Sequence, residues 1–189
     1  MPFTPLHYPI AYALHRLGRR LSMPGLIVGS FVPDIEVPVL WLFGGGLPDH
    51  LILHSIIGVL TIGVLVSVLV TRFLYAPAIS ALFGIERAKL ESACATSYVL
   101  IGSCLLGLFG HLLLDLPMHP YNPLLWPWVN PNAIVGILVI LFAQGGNIES
   151  GFAAANQLVS VVMLVPLLAI VIKHRHVLWS SLWLDETRK

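Results

Sequence analysis

Three stretches of this 189-residue chain, 51–74, 92–116 and 152–172, are long and almost wholly apolar. A bilayer core about 30 Å thick needs about 20 apolar residues of helix, and these three meet that length comfortably. They restrict the fold more than anything else in the sequence. The remainder agrees, because 57% of the residues are apolar and only 10% are charged. Soluble domains carry roughly 25% charged residues, so this chain cannot cover a water-facing surface. The expectation is an all-α, polytopic membrane helix bundle of about six helices, built as one domain over residues 1–189.

The other segments are shorter. Residues 6–21 are amphipathic, with Arg16, Arg19 and Arg20 at the far end. Residues 24–32 are apolar, and Pro33, Asp34, Glu36 and Pro38 then interrupt them. Residues 133–142 are too few to span alone and read as re-entrant; short pieces sit in a membrane when other helices bury them. No internal repeat or polar linker divides the chain. The start, MPFTPLHYPI, has no basic n-region and is broken by prolines, so it reads as part of the mature protein. A net charge of +1, with no basic groove, gives no case for nucleic acid.

Segment 92–116 is rich in small residues: Ala93, Cys94, Ala95, Ser97, Gly102, Ser103, Gly107 and Gly110. In lipid such residues let helices approach closely. The two cysteines, Cys94 and Cys104, would lie about 15 Å apart in one helix, too far for a disulfide.

Ionisable groups in apolar helices are costly and usually functional. The segment 110–128, GHLLLDLPMHPYNPLLWPW, places His111 and Asp115 on one helical face, with His119 just beyond. Such a pair makes either an interhelical hydrogen bond or part of a metal site. Counting helix ends separates the two. His7 begins the first helix, Asp34 and Glu36 end the second, His50 and His54 open the third, and His111 and Asp115 close the next. If helices alternate in direction, all of these groups meet at one end. Arg16, Arg19, Arg20, Arg72, Arg87 and Lys89 fall at the other. This favours a divalent metal such as zinc. Asp49 reads as a cap for the third helix. His15, His174 and His176, beside basic residues, read as interfacial. Tyr121, Trp126 and Trp128 fit an aromatic belt or a roof over the site. Ser55 adjoins His54 but points elsewhere on the helix, so no serine nucleophile is expected.

The order MPFTPLH, GSFVPDIE, LHS and GHLLLDLPMHP with LLWPW resembles the YdjM-like family of membrane-bound metal-dependent hydrolases, over roughly residues 1–128. That family is distantly similar to the all-helical zinc-dependent phospholipase C and single-strand nuclease superfamily. The resemblance implies a phospholipase C-like metal-site core over residues 1–128, with additional helices over 132–173. It implies a main site of Asp34, His54, His111 and Asp115, with His7 joining Asp115 at a second metal. The H-x-x-x-E motif that completes a three-metal cluster in the soluble enzymes is missing after His119, so one or two ions are expected.

Zinc lowers the pKa of its water toward ~7 and polarises a phosphoryl oxygen. The expected activity is therefore hydrolysis of a phosphoester in a lipid or lipid-linked substrate. Asp34 or Glu36 acts as the base, and His7, Asp34, His54, His111, Asp115 and His119 are the candidate ligands. The alternative is a non-hydrolytic metal transporter or metal-stabilised scaffold. A transporter would spread polar groups through mid-membrane, often in repeated halves, whereas here they gather at one end. The positive-inside rule puts the basic end in the cytoplasm, making this a multi-pass protein of the cytoplasmic membrane with its metal end facing outward.

Overall fold

The computed structural model describes residues 4–18, 20–44, 48, 50–176 and 178–184. They form α1 (Tyr8–Leu17), α2 (Met23–Phe43), α3 (Ile56–Phe83), α4 (Arg87–Ala93), α5 (Tyr98–Asp115), α6 (Ile137–Phe142), α7 (Ile148–His174) and α8 (Leu178–Trp183). Short 3-10 turns, Thr4–His7, Pro131–Ala133 and Gln144–Gly146, precede α1, α6 and α7. There is no strand among the described residues. Asp49, expected as a cap, and Arg19 lie outside them.

Four helices, α2, α3, α5 and α7, are long and apolar enough to cross a membrane. Large apolar side chains such as Leu65, Phe73, Val161 and Val165 stand exposed along α3 and α7. An exposed apolar surface of this extent suits a lipid environment.

The fourth span corrects the sequence reading. Residues 24–32 do not stop at Pro33; α2 continues for 21 residues through Pro33 and Pro38. Each proline removes one N–H from the helical ladder. Within a bundle, neighbouring groups can satisfy the freed carbonyls, so proline does not end a membrane helix as it would a soluble one.

A second correction concerns 92–116, which is not one helix. α4 ends at Ala93, and α5 begins after Ser97, whose Oγ accepts the Leu100 N–H at 3.1 Å. That cap satisfies one of the orphan donors of a helix start. Cys94 therefore terminates α4 while Cys104 lies within α5, and both are free buried thiols.

α2 and α5 form the centre of the bundle. A Cβ built on Gly29 would collide with the Cys104 carbonyl, and one on Gly107 with the Leu26 carbonyl. Glycine at both positions lets the two backbones touch. Ser30 and Asp34, one turn further along α2, are thereby brought against His111 and Asp115 of α5.

α6, with six residues, is about 9 Å long, under a third of the bilayer core. Its Val139 packs with Met118, Ala155 and Val159. The chain leading into it is stitched to the loop after α5: Gly136 N–H donates to the His119 carbonyl and Leu138 N–H to the Pro117 carbonyl, each at 2.8 Å. α6 thus stays beside the C-terminal end of α5. α7 starts there and runs back to the opposite end, where His174 Nε2 lies 3.0 Å from Tyr12 Oη. α8 completes that end, its Leu182 and Trp183 carbonyls accepting from the hydroxyls of Tyr8 and Tyr75 at 2.9 and 2.8 Å. Lys173 and Arg175 therefore join the basic end. His15 and His174, expected at the interface, are buried in this packing.

Candidate metal centre

α2, α5 and the turns entering α1 and α3 each contribute one or two side chains to a buried cluster. α5 presents His111 and Asp115 one turn apart, with His111 Nε2 3.1 Å from Asp115 Oδ2. α2 presents Asp34, whose Oδ1 lies 3.7 Å from His111 Nε2. The turn entering α1 presents His7, with Nε2 3.5 Å from Asp115 Oδ1 and Nδ1 4.0 Å from Asp34 Oδ2. The turn entering α3 presents His54, with Nε2 3.8 Å from Asp115 Oδ2. The rings of His7 and His111 stack at 4.1 Å.

These spacings fit one small cation. Metal–ligand bonds of about 2.0–2.1 Å at tetrahedral angles place donor atoms about 3.3 Å apart. Two overlapping donor sets, His7/His111/Asp115 and Asp34/His54/His111, each gather their ligand atoms within 4.8 Å. Both oxygens of Asp34, both oxygens of Asp115, and Nε2 of His54 and His111 are buried without hydrogen-bond partners. A buried, unpaired polar group costs about 1–3 kcal/mol, and a charged one more. A four-coordinate divalent cation would take up to four of these donor atoms.

The histidines are also fixed from behind. His111 Nδ1 meets the Ser30 carbonyl at 2.8 Å, and His119 Nδ1 meets the Asp115 carbonyl at 3.0 Å. A carbonyl only accepts, so Nδ1 carries the hydrogen and the Nε2 lone pair of the neutral ring faces the cluster. His54 Nδ1 donates to Glu36 Oε2 at 3.0 Å. Glu36 also accepts from the backbone N–H groups of Leu51, Ile52 and Leu53. It thus holds the turn that carries His54. An outer acceptor orienting each ligating histidine is the usual arrangement around a metal.

Burial lowers the pKa of His54, with the Glu36 hydrogen bond opposing it. Burial likewise pushes His119 down to about 4, against the pull of Asp115. Both rings are therefore neutral at pH 7, the form in which histidine binds a metal.

His119 does not join the main set. With His50 and Asp115 it forms a third donor group, and its Nε2 is likewise buried without a hydrogen bond. His50, not among the ligands expected from sequence, has its ring 4.3 Å from that of His54 and 4.7 Å from that of His119. The signal was present as the four-residue spacing of His50 and His54. A cavity of about 10 Å³ lies between His50, His54, Asp115, His119 and Tyr121, room for about one water-sized species.

The loop after α5 covers this side. The Leu124 carbonyl accepts the Ile56 N–H at 3.0 Å, and Asn122 donates to the carbonyls of Leu116 and Ile134. Trp128 stands exposed at the surface. Ser55 caps α3, accepting from Gly58 N–H and donating to the Ile52 carbonyl.

The family described as a domain of unknown function, DUF4184, matches residues 1–180. The chain belongs to the DUF4184 family. The match takes in every cluster residue and also α6 and α7, so the DUF4184 unit extends beyond the 1–128 metal-site core. No curated protein and no solved structure matches the chain.

Proposed function

We propose that this protein is a membrane-embedded metal-dependent hydrolase cleaving a phosphoester of a lipid or lipid-linked substrate. One observation carries the reading: buried Nε2 atoms and two buried, unpaired carboxylates converge on one point, with the histidines of α5 and the α3 turn oriented from behind. The similarity of the residue order to the YdjM-like hydrolases, and more distantly to the phospholipase C superfamily, supports the same chemistry.

Asp34, His54, His111 and Asp115 would hold one ion, and His7 would share Asp115 at a second. Zinc suits this nitrogen and oxygen donor set. When bound, it supplies Lewis acidity and a water of lowered pKa. Asp34 keeps an oxygen available beyond the one it directs at His111, and that oxygen takes the proton from the attacking water. Glu36, given a base role from sequence, accepts four hydrogen bonds, three at Oε2 and one at Oε1. It acts instead as a positioning residue for His54. The depth of the cluster within a bundle of membrane-length helices supports a lipid substrate.

The experiment is purification in detergent, metal analysis, and assay of phosphate or headgroup release from phospholipids. Wild-type protein should hold metal and turn over. A His111→Ala/Asp115→Ala double variant should do neither; full activity in that variant would sink the reading. Metal retained without hydrolysis of any lipid phosphoester would leave a metal-stabilised scaffold.

A further inference from the structure

A groove of about 510 Å³ runs along α2, bounded by α3 and α8. Its walls include Ile27, Phe31 and Ile35 of α2, Val70 of α3 and Trp183 of α8. The Tyr75 hydroxyl in its wall is engaged by the Trp183 carbonyl. Its one carboxylate is Asp34. Along α2 the groove extends from Ile27 to Pro38, about 16 Å of helix, or half of a hydrocarbon core about 30 Å thick. That is the depth of one leaflet.

Two features identify what fills it. α2 and α3 are both long and apolar enough to cross a membrane, so the groove lies at bilayer depth and its neighbours there are hydrocarbon chains. Asp34 belongs to both the groove wall and the metal cluster, with Oδ1 3.7 Å from His111 Nε2. Its two oxygens are buried and unpaired. A chain lying in the groove therefore passes directly beside the cluster. A cavity that is apolar throughout except for one convergent polar group is the usual form of a site that orients an amphiphile.

We propose that this groove seats one hydrocarbon chain of the substrate, placing the attached phosphoester beside the cluster to which Asp34 belongs. The assignment rests on the hydrolase reading for the identity of the head, while the chain site is tested independently of turnover. Entry is then lateral, between α2 and α3, and the loop at 117–132 closes the site from the membrane surface.

The test places the full-length protein in nanodiscs of phosphatidylglycerol with a photoreactive diazirine in one acyl chain. Adducts are mapped by mass spectrometry. Labelling of Phe31, Ile35 and Val70 should exceed several-fold that of Leu113 and Val165, which are exposed on other faces. Val70→Trp, which fills the groove, should reduce it to the level of those faces with bound metal unchanged. Equal labelling on all faces means annular lipid only and overturns the proposal, as do adducts to a second copy of the chain in place of lipid. Groove labelling without hydrolysis keeps the chain site and defeats the hydrolase reading. Hydrolysis with an unlabelled groove does the reverse.

Discussion

Glu36 Oε2 lies 3.0 Å from His54 Nδ1 while also accepting backbone N–H groups from the turn that carries this histidine. One buried carboxylate on α2 thus fixes both the place and the tautomer of a histidine 18 positions away in sequence. Removing it should loosen the ligand without deleting it. Outer-shell substitutions of this kind cost about 10–100-fold in metal affinity or activity. Glu36→Ala should fall in that range, measured by chelator competition. Glu36→Gln should be milder, since its amide oxygen still accepts. A loss of all activity with metal affinity unchanged would instead return Glu36 to the role of base.

Metal removal should destabilise the fold. Without a cation, the oxygens of Asp34 and Asp115 stay buried without hydrogen-bond partners. A ligand present at 100 times its Kd stabilises by about 2.7 kcal/mol. Thermal unfolding in detergent should therefore shift to lower temperature with chelator and recover on adding zinc. The Asp34→Ala variant should show a much smaller chelator effect. An identical shift in that variant would mean that the chelator acts elsewhere.

The α2–α5 contact should be intolerant of any side chain at its two touching glycines. A Cβ at Gly29 or Gly107 meets backbone, not a flexible side-chain end. Overpacking typically costs about 1–3 kcal/mol, and a backbone collision should reach at least the top of that range. Gly107→Val should lower the melting temperature and the bound metal together, because the same contact aligns Asp34 with His111. Gly102→Ala, whose Cβ would meet nothing, is the matched control and should lower neither, since alanine favours the helix over glycine.

Much of the centre was legible because helical periodicity and helix direction are written in the sequence. His111 and Asp115 share a face by their spacing, and Asp34, His54 and His7 follow once helix ends are counted. What was hidden depended on rules that sequence patterns do not carry. Pro33 and Pro38 read as breakers, yet α2 passes through both, since bundle neighbours compensate a lost donor in lipid. The break between α4 and α5 hid inside an apolar run, because only the Ser97 cap marks it. The place of Glu36 was illegible for another reason. Its partners are three backbone N–H groups of a turn, and these have no side-chain signature.

Cys94 should be inert in the folded protein. Burial pushes its thiol up to about 12, and the thiolate is the reactive form. Folded protein at pH 8 should resist iodoacetamide at this position and react after denaturation. The pH dependence follows in sign. Below the unfolded value near 9 the thiol is protonated in both states. As pH rises from there toward about 12, only the unfolded chain loses the proton, so stability falls. The Cys94→Ala variant should lose less of its stability over that alkaline range, checked by melting curves at each pH. Equal losses would show that other groups govern the alkaline limb.

The charge of the bundle predicts its orientation. Arg16, Arg20, Arg72, Arg87 and Lys89 come from segments that meet at one end, and the return of α7 adds Lys173 and Arg175 to them. An excess of Lys and Arg near span ends marks the cytoplasmic side. The expected arrangement has the His/Asp cluster and Trp128 facing outward. Single cysteines at Trp128 and at Glu91, both exposed, test this in a chain with Cys94 and Cys104 replaced by alanine. A membrane-impermeant maleimide should label position 128 in intact cells and position 91 only after permeabilisation. The reverse pattern would place the centre on the cytoplasmic side, and its substrate would then have to come from the inner leaflet.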